Sequence, residues 1–84
     1  MVGYKIVVLD RGWVFIGRVR VEPDTLVIED ASCIRYWGTT RGLGELAAHG
    51  PTKQTKLDPA GTVRVPVRAV LFTLDTESTK WITS

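Results

Sequence analysis

The sequence predicts a mainly β domain: a small, strongly bent antiparallel β-barrel with one short helix in an insert. Short runs in which apolar and polar residues alternate recur along the chain, and turn-forming residues separate them. The chain has 84 residues, which is the length of a single domain. Gly17 interrupts the clearest run, residues 13–21, as at a bend in a small barrel.

Six strands are expected, at residues 4–9, 13–21, 26–28, 32–37, 62–67 and 69–74. The barrel strands therefore lie in 4–37 and 62–74, an insert occupies 38–61, and a polar tail occupies 75–84. Residues 10–12, 22–25 and 58–61 have the composition of turns. Trp13 is expected in the core, on one strand face with Phe15, Gly17 and Val19. Pro66 lacks an N–H, which places its strand at an edge or ends it there.

Residues 42–49 form the helical candidate, because Leu43, Leu46 and Ala47 share one face at helical spacing. Gly42 or Thr40 would cap its start, and Gly50–Pro51 would stop it. Such a short helix is marginal alone in water, so it has to pack on the barrel. In the tail, Trp81 and Ile82 are expected to dock on a neighbour.

The composition offers few ways to stabilise so small a domain, which buries only about 60% of its unfolded surface. One cysteine and one histidine exclude an intramolecular disulfide and a zinc site of the usual kind within one chain. Association is the common route that remains, so we predict a homo-oligomer. We expect no metal and no other cofactor.

No catalytic residues are predicted, because no nucleophile–base set and no paired carboxylates occur at a recognisable spacing. The longest apolar run is far shorter than a membrane span, and residues 1–9 lack the pattern of a secretory signal. We therefore expect a protein that is not an enzyme, has no membrane partner and is cytoplasmic.

The basic charge is concentrated around the insert. Residues 35–68 contain six basic and two acidic residues, a balance of +4, whereas the rest has five basic and seven acidic residues, a balance of −2. The run W-G-T-T-R-G-L-G-E-L at residues 37–46 lies within this basic part. An anionic ligand is the partner that such a charge distribution favours.

Residues 38–44 have the composition of an anion cradle. Glycines let backbone N–H groups approach a phosphate, a helix N-terminus favours negative charge, and Thr39, Thr40 and Arg41 offer hydroxyls and a guanidinium. The spacing is neither a P-loop nor a dinucleotide-binding fingerprint. A tight turn before a capped helix is the alternative interpretation.

An aromatic pair precedes the cradle. Trp37 or Tyr36, whichever faces outward beside Arg35 or Arg41, is a candidate platform for a base; such stacking is worth about 1–3 kcal/mol. Packing between subunits is the alternative role for the aromatic rings. The lysines that follow would contact phosphate or lie in a solvated loop. The candidate ligand-binding residues are Arg35, Trp37, Thr39, Thr40, Arg41, Lys53 and Lys56.

The order of W-V-F-I-G-R-V, L-V-I-E-D-A and V-P-V-R-A-V-L-F resembles Sm-like barrels, a group with SH3-like folds, over residues 6–34 and 63–74. That resemblance implies ring formation through edge strands. The Sm family typically reads RNA with an Asp and Asn pair in the loop before its third strand. Here the loop is E-P-D-T and contains no Asn. An RNA- or DNA-binding barrel is therefore an alternative function, with nucleic acid as the alternative partner.

The run W-G-T-T-R-G-L-G-E-L-A, followed by G-P-T-K and L-D-P-A-G-T-V, is similar to a group of small proteins encoded by phages and their bacterial hosts. In size and style it also resembles phage counter-defence proteins, compact homo-oligomers that sequester nucleotide-derived immune signals such as cyclic dinucleotides or ADP-ribose derivatives. The resemblance implies a sponge that acts in the host cytoplasm. A structural or interaction protein of a phage is the other alternative.

Overall fold

The structure, a computed structural model, describes residues 4–39, 42–77 and 81. It is mainly β, with five antiparallel strands in one sheet and one short helix, and it confirms the predicted small, bent, barrel-like fold. The strands are β1 (Tyr4–Leu9), β2 (Val14–Glu22), β3 (Thr25–Tyr36), β4 (Lys56–Pro66) and β5 (Val70–Asp75). The helix α1 is Leu43–His49, and 3-10 turns form at Asp10–Gly12 and Val67–Ala69.

The strand order is β4-β3-β2-β1-β5, so β4 and β5 are the two edges of the sheet. Among the described residues no hydrogen-bonded ladder joins these two strands, and the barrel stays open between them. Pro66 is the last residue of β4, at an edge where a missing N–H is tolerated. The edge position predicted for this strand is confirmed.

The two short strands expected at 26–28 and 32–37 form one continuous strand, β3. Asp30 adopts a φ of 50°, and the β2–β3 register shifts between Ile16 and Arg18, so that the chain bulges and continues. Aspartate tolerates this left-handed conformation better than most residues do. The polar pair Glu29-Asp30 therefore marks a bulge within a strand and not a strand end.

The last part of the expected insert also belongs to a strand, because β4 begins at Lys56. Residues 58–61, whose composition is that of a turn, pair with β3 through a second irregular stretch of the ladder. Long-range pairing overrides the local turn propensity here. The segment between β3 and β4 is thus residues 37–55.

Gly17 is where β2 and β3 approach closely, as the sequence predicts. A Cβ built on Gly17 would lie 2.6 Å from the Ile28 side chain and 2.8 Å from the carbonyl oxygen of Glu29. Real Cβ atoms do not approach other atoms so closely, so only glycine fits opposite the bulge. The bulge and this glycine together bend the sheet.

Two apolar clusters pack on the bent sheet. The first lies under α1 and contains Ile6, Val8, Val14, Ile16, Ile34, Leu46, Ala47 and Trp81. The second lies inside the bend and contains Val7, Leu9, Val19, Leu26, Ile28, Ala31 and Val65. Helix α1 docks through Leu46 and Ala47, is capped by Gly42 and ends at Gly50, as predicted. None of the helices described is long and apolar enough to cross a membrane.

The tryptophans Trp13 and Trp81 lie where the sequence did not place them. Trp13 is 57% exposed and lies between the 3-10 turn Asp10–Gly12 and the start of β2, outside both apolar clusters. Trp81 is 5% exposed and packs in the first cluster of its own chain, while Ile82 lies outside the described residues. The backbone of Glu77 also donates a hydrogen bond of 2.8 Å to the carbonyl oxygen of Ala47. Glu77 and Trp81 thus contact α1.

Candidate functional site

The segment between β3 and β4 is closed by threonine side chains. The Thr55 hydroxyl donates to the carbonyl oxygen of Trp37 at 2.7 Å, and the Thr52 hydroxyl donates to that of Gly38 at 2.7 Å. The Thr52 N–H donates in turn to the Thr55 hydroxyl at 2.8 Å. These bonds tie the end of β3 to the turn before β4, so the backbone after Arg35 is held in one shape.

Two glycines of the predicted anion cradle have backbone roles. Gly38 has a φ of 64°, and a Cβ there would lie 2.6 Å from the carbonyl carbon of Gln54. Gly42 has a φ of 77° and caps α1, and its N–H donates to the Thr39 hydroxyl at 2.9 Å. A tight turn that leads into a capped helix of seven residues therefore accounts for these glycines.

A surface cavity of about 400 Å³ lies beside this turn; we call it the insert cavity. It brings together three candidate residues, Arg35, Trp37 and Thr39. Trp37 is 40% exposed, and its ring reaches to 3.7 Å from where a Gly42 Cβ would stand. The full lining is Arg35, Tyr36, Trp37, Gly38, Thr39 and Gly42.

Of the other candidates, the two lysines lie apart from this lining. Thr40 and Arg41 are outside the described residues. Lys56 pairs with Tyr36 at the start of β4, and Lys53 lies in the turn before it; both lysines are exposed. Neither lysine lines the insert cavity. Their predicted phosphate contacts stay a prediction.

The Arg35 guanidinium is anchored at one side. Its Nε donates to Asp58 Oδ2 at 2.7 Å, across the β3–β4 ladder. Among the residues that the structure describes, the two terminal NH₂ groups of Arg35 have no hydrogen-bond partner. An exposed pair of this kind contributes at most about 1 kcal/mol to stability. Its main consequence is to orient the guanidinium and leave its outer donors available for an anion.

A second cavity, of about 460 Å³, lies on the other side of Arg35; we call it the hairpin cavity. Arg35 and Asp58 line it together with Trp13 and Cys33, two residues that the sequence did not assign to a site. The register that pairs Phe15 with Cys33 brings Trp13 toward Arg35. Trp13 lies two residues before Phe15 and Arg35 lies two residues after Cys33, so knowledge of the β2–β3 register would have indicated this neighbourhood.

Most other arginines near the sheet surface are paired with carboxylates. Arg18 pairs with Asp30, and Arg20 pairs with Glu22. Arg64 Nη1 also contacts Glu22 Oε1 at 3.1 Å. The hydrogen bond from Arg20 holds the pKa of Glu22 below its usual range. The charges of these arginines are compensated by carboxylates, as that of Arg35 is by Asp58, but Arg35 is the one of the four that lines the insert cavity.

Cys33 is half-buried in the hairpin cavity. Burial raises the pKa of its thiol, Asp58 raises that pKa further, and Arg35 offsets part of the effect. We predict that iodoacetamide alkylates Cys33 more slowly at pH 7.5 than it alkylates N-acetylcysteine, because the thiolate is the nucleophile. The Asp58→Asn variant should react faster than the wild type, since the neighbouring negative charge is removed. Mass spectrometry measures the two alkylation rates. Equal rates in the wild type and the variant would contradict the effect of Asp58 on the thiol.

No group of three or more histidine, cysteine, aspartate or glutamate side chains that could hold a metal occurs in the described part of the chain. Comparisons with protein-family models, with curated proteins and with solved structures found no match.

Proposed function

We propose that this chain is a binding protein that sequesters a nucleotide-derived anionic small molecule, as a phage-type counter-defence sponge would. The observation that carries the proposal is the Arg35 guanidinium, anchored through Nε by Asp58 in a cavity that also exposes the Trp37 ring. A guanidinium can bind a phosphate, and an aromatic ring next to it can stack on a base, so the two together can bind a nucleotide.

The chemistry of the two contacts differs. The NH₂ groups of Arg35 donate charge-assisted hydrogen bonds to phosphate oxygens, each worth about 1.5–3 kcal/mol. The Trp37 ring stacks on a base and adds about 1–3 kcal/mol. The Thr39 hydroxyl already accepts the Gly42 N–H, so it holds the loop and has its own hydrogen left to donate.

Homo-oligomerisation is part of the proposal. Both edge strands lack a partner strand on their outer side among the described residues, and Leu71 and Phe72 on β5 are 62% and 51% exposed. A second copy that pairs along an edge would satisfy the open backbone groups and cover these side chains. Because both cavities are open to the surface, a neighbouring subunit would also supply the missing walls.

Nucleic acid is the alternative ligand, because Tyr36 and Trp37 both expose their rings beside Arg35. A long strand needs a continuous basic track, whereas Arg18, Arg20 and Arg64 are paired with carboxylates. A small anion is therefore preferred. Tight binding of an oligonucleotide with a steep salt dependence would identify the alternative. A structural protein of a phage would bind neither ligand.

Replacement of Arg35 by alanine tests the proposal. We expect Arg35→Ala to weaken the binding of ADP by about 10- to 100-fold, because charge-assisted hydrogen bonds to phosphate are lost. Isothermal titration calorimetry measures the affinity, and native mass spectrometry counts chains and ligands in each particle. Arg64→Ala is the matched control: its side chain is 58% exposed against 64% for Arg35, and each arginine makes an ion pair.

The wild type and Arg64→Ala should bind ADP with the same affinity. Both should form particles that contain more than one chain. Wild-type protein that binds neither ADP nor a panel of cyclic nucleotides and ADP-ribose derivatives would refute the proposal. Equal binding by Arg35→Ala and wild type would remove Arg35 from the site.

A further inference from the structure

Arg35 lines two cavities, and each of them exposes one tryptophan ring. The insert cavity contains Trp37 and the hairpin cavity contains Trp13. Their volumes, about 400 and 460 Å³, are similar and lie at the lower end of the range for ligand pockets. Arg35 is the residue that the two linings share.

The hairpin cavity has a built aromatic wall. The Trp13 and Phe15 rings are nearly parallel, with an interplanar angle of 13° and 6.3 Å between their centroids. Phe15 packs against the cluster inside the bend, whereas Trp13 is 57% exposed. Phe15 therefore supports a ring that is itself open to solvent. An exposed tryptophan held in this way loses little side-chain freedom when a ligand stacks on it.

The positive charge common to both cavities is that of Arg35. Asp58 accepts the hydrogen bond from Nε of the guanidinium, and among the described residues no side chain accepts one from its NH₂ groups. Cys33 lies in the hairpin cavity, where burial raises the pKa of its thiol. The hairpin cavity is therefore apolar and aromatic beyond the Arg35–Asp58 pair.

We propose that Trp13 forms a second ring-binding subsite, and that the ligand carries a planar ring at both ends of an anionic linker, as a dinucleoside pyrophosphate does. The linker binds Arg35, one ring stacks on Trp37 and the other stacks on Trp13. This inference rests on the proposed function of the insert cavity and adds the ligand class and one specificity residue to it.

The test compares two ligands that share a diphosphate: ADP, with one adenosine, and diadenosine diphosphate, with two. The wild type should bind diadenosine diphosphate at least about 10-fold tighter, as a second stacked base implies. Trp13→Ala should remove most of that difference and leave the ADP affinity unchanged within about twofold. Because Trp13 is exposed, the variant should fold, and its far-ultraviolet circular dichroism checks this.

Cys33 provides a second readout that does not depend on affinity. Diadenosine diphosphate should protect Cys33 from iodoacetamide by filling the hairpin cavity, and this protection should disappear in Trp13→Ala. Equal affinity of the wild type for the two ligands, or loss of ADP binding in Trp13→Ala, would overturn the second subsite while the proposed function stands. Failure of the wild type to bind these two ligands and every member of the panel of cyclic nucleotides and ADP-ribose derivatives would instead refute the proposed function.

Discussion

Trp81→Ala should lower the free energy of unfolding by about 3–5 kcal/mol, the usual cost of removing a large buried aromatic side chain. Trp81 is 5% exposed and packs with Leu46, which is 0% exposed, and with Ile6. Its indole Nε1 also donates to the carbonyl oxygen of Leu46 at 3.1 Å. The substitution would leave a cavity under α1 and remove one of the two hydrogen bonds that the Leu46 carbonyl oxygen accepts, the other coming from the Gly50 N–H at 2.8 Å. For a domain of 84 residues this is a large share of a total of roughly 4–13 kcal/mol.

Chemical denaturation in urea measures this effect, and the chain provides its own control. Trp13→Ala removes the same side chain from a site that is 57% exposed, so it should cost less than about 1 kcal/mol. Trp81→Phe keeps most of the buried ring and should fall between the two variants. If Trp81→Ala were no more destabilising than Trp13→Ala, the docking of the tail on α1 would be refuted.

Gly38→Ala should lower the free energy of unfolding by about 2–5 kcal/mol, because two penalties coincide. Its φ of 64° is unfavourable for a residue with a Cβ. The added Cβ would also stand 2.6 Å from the Gln54 carbonyl carbon and 2.8 Å from the Thr55 nitrogen, which are backbone atoms and cannot rotate away. The tie between residues 37–38 and 52–55 would have to open, so ligand binding in the insert cavity should weaken as well.

Two other glycines allow the cost of the positive φ to be measured separately from the cost of the steric clash. Gly12 has a φ of 84° but nothing within 4 Å of its Cβ position, so Gly12→Ala should cost only about 1 kcal/mol of backbone strain. Gly44 lies in α1 with open space around its Cβ position, so Gly44→Ala should stabilise by about 0.5–1 kcal/mol. Melting curves of the three variants should follow that order. A Gly38→Ala variant as stable as Gly12→Ala would show that the close approach to Gln54 is absent.

The sequence predicted the fold class because the alternation that defines β1, β2 and β5 is local, and α1 has a cap and a stop signal of its own. The sequence predicted two strands in place of β3, because the polar pair Glu29-Asp30 is typical of the end of a strand. Only the pairing of β3 with strands on both sides shows that the chain continues through a bulge. The sequence likewise predicted a turn at residues 58–61. These residues are held in β4 by pairing with β3, and their local composition does not indicate that pairing.

The sequence predicted part of the site. Arg35, Trp37 and Thr39 were identified from their order along one stretch, and the structure brings them to one cavity. The alternation predicts Trp13 in the core because it shows which residues lie on the same face of a strand. It does not show how far along that face the apolar core extends. Asp58 was placed in a turn, so its contact with Arg35 could not be foreseen.

A ¹⁵N–¹H NMR titration of the wild type with ADP shows whether the arginine-centred cavity binds a nucleotide-derived anion. The Nε–H of Arg35, held by Asp58, and the indole N–H of Trp37 should shift with ADP concentration. The indole N–H of Trp81, buried and bonded to Leu46, serves as the internal reference and should not move. Arg35→Ala should abolish the shift of Trp37. Spectra in which millimolar ADP leaves Arg35 and Trp37 unchanged would contradict the account.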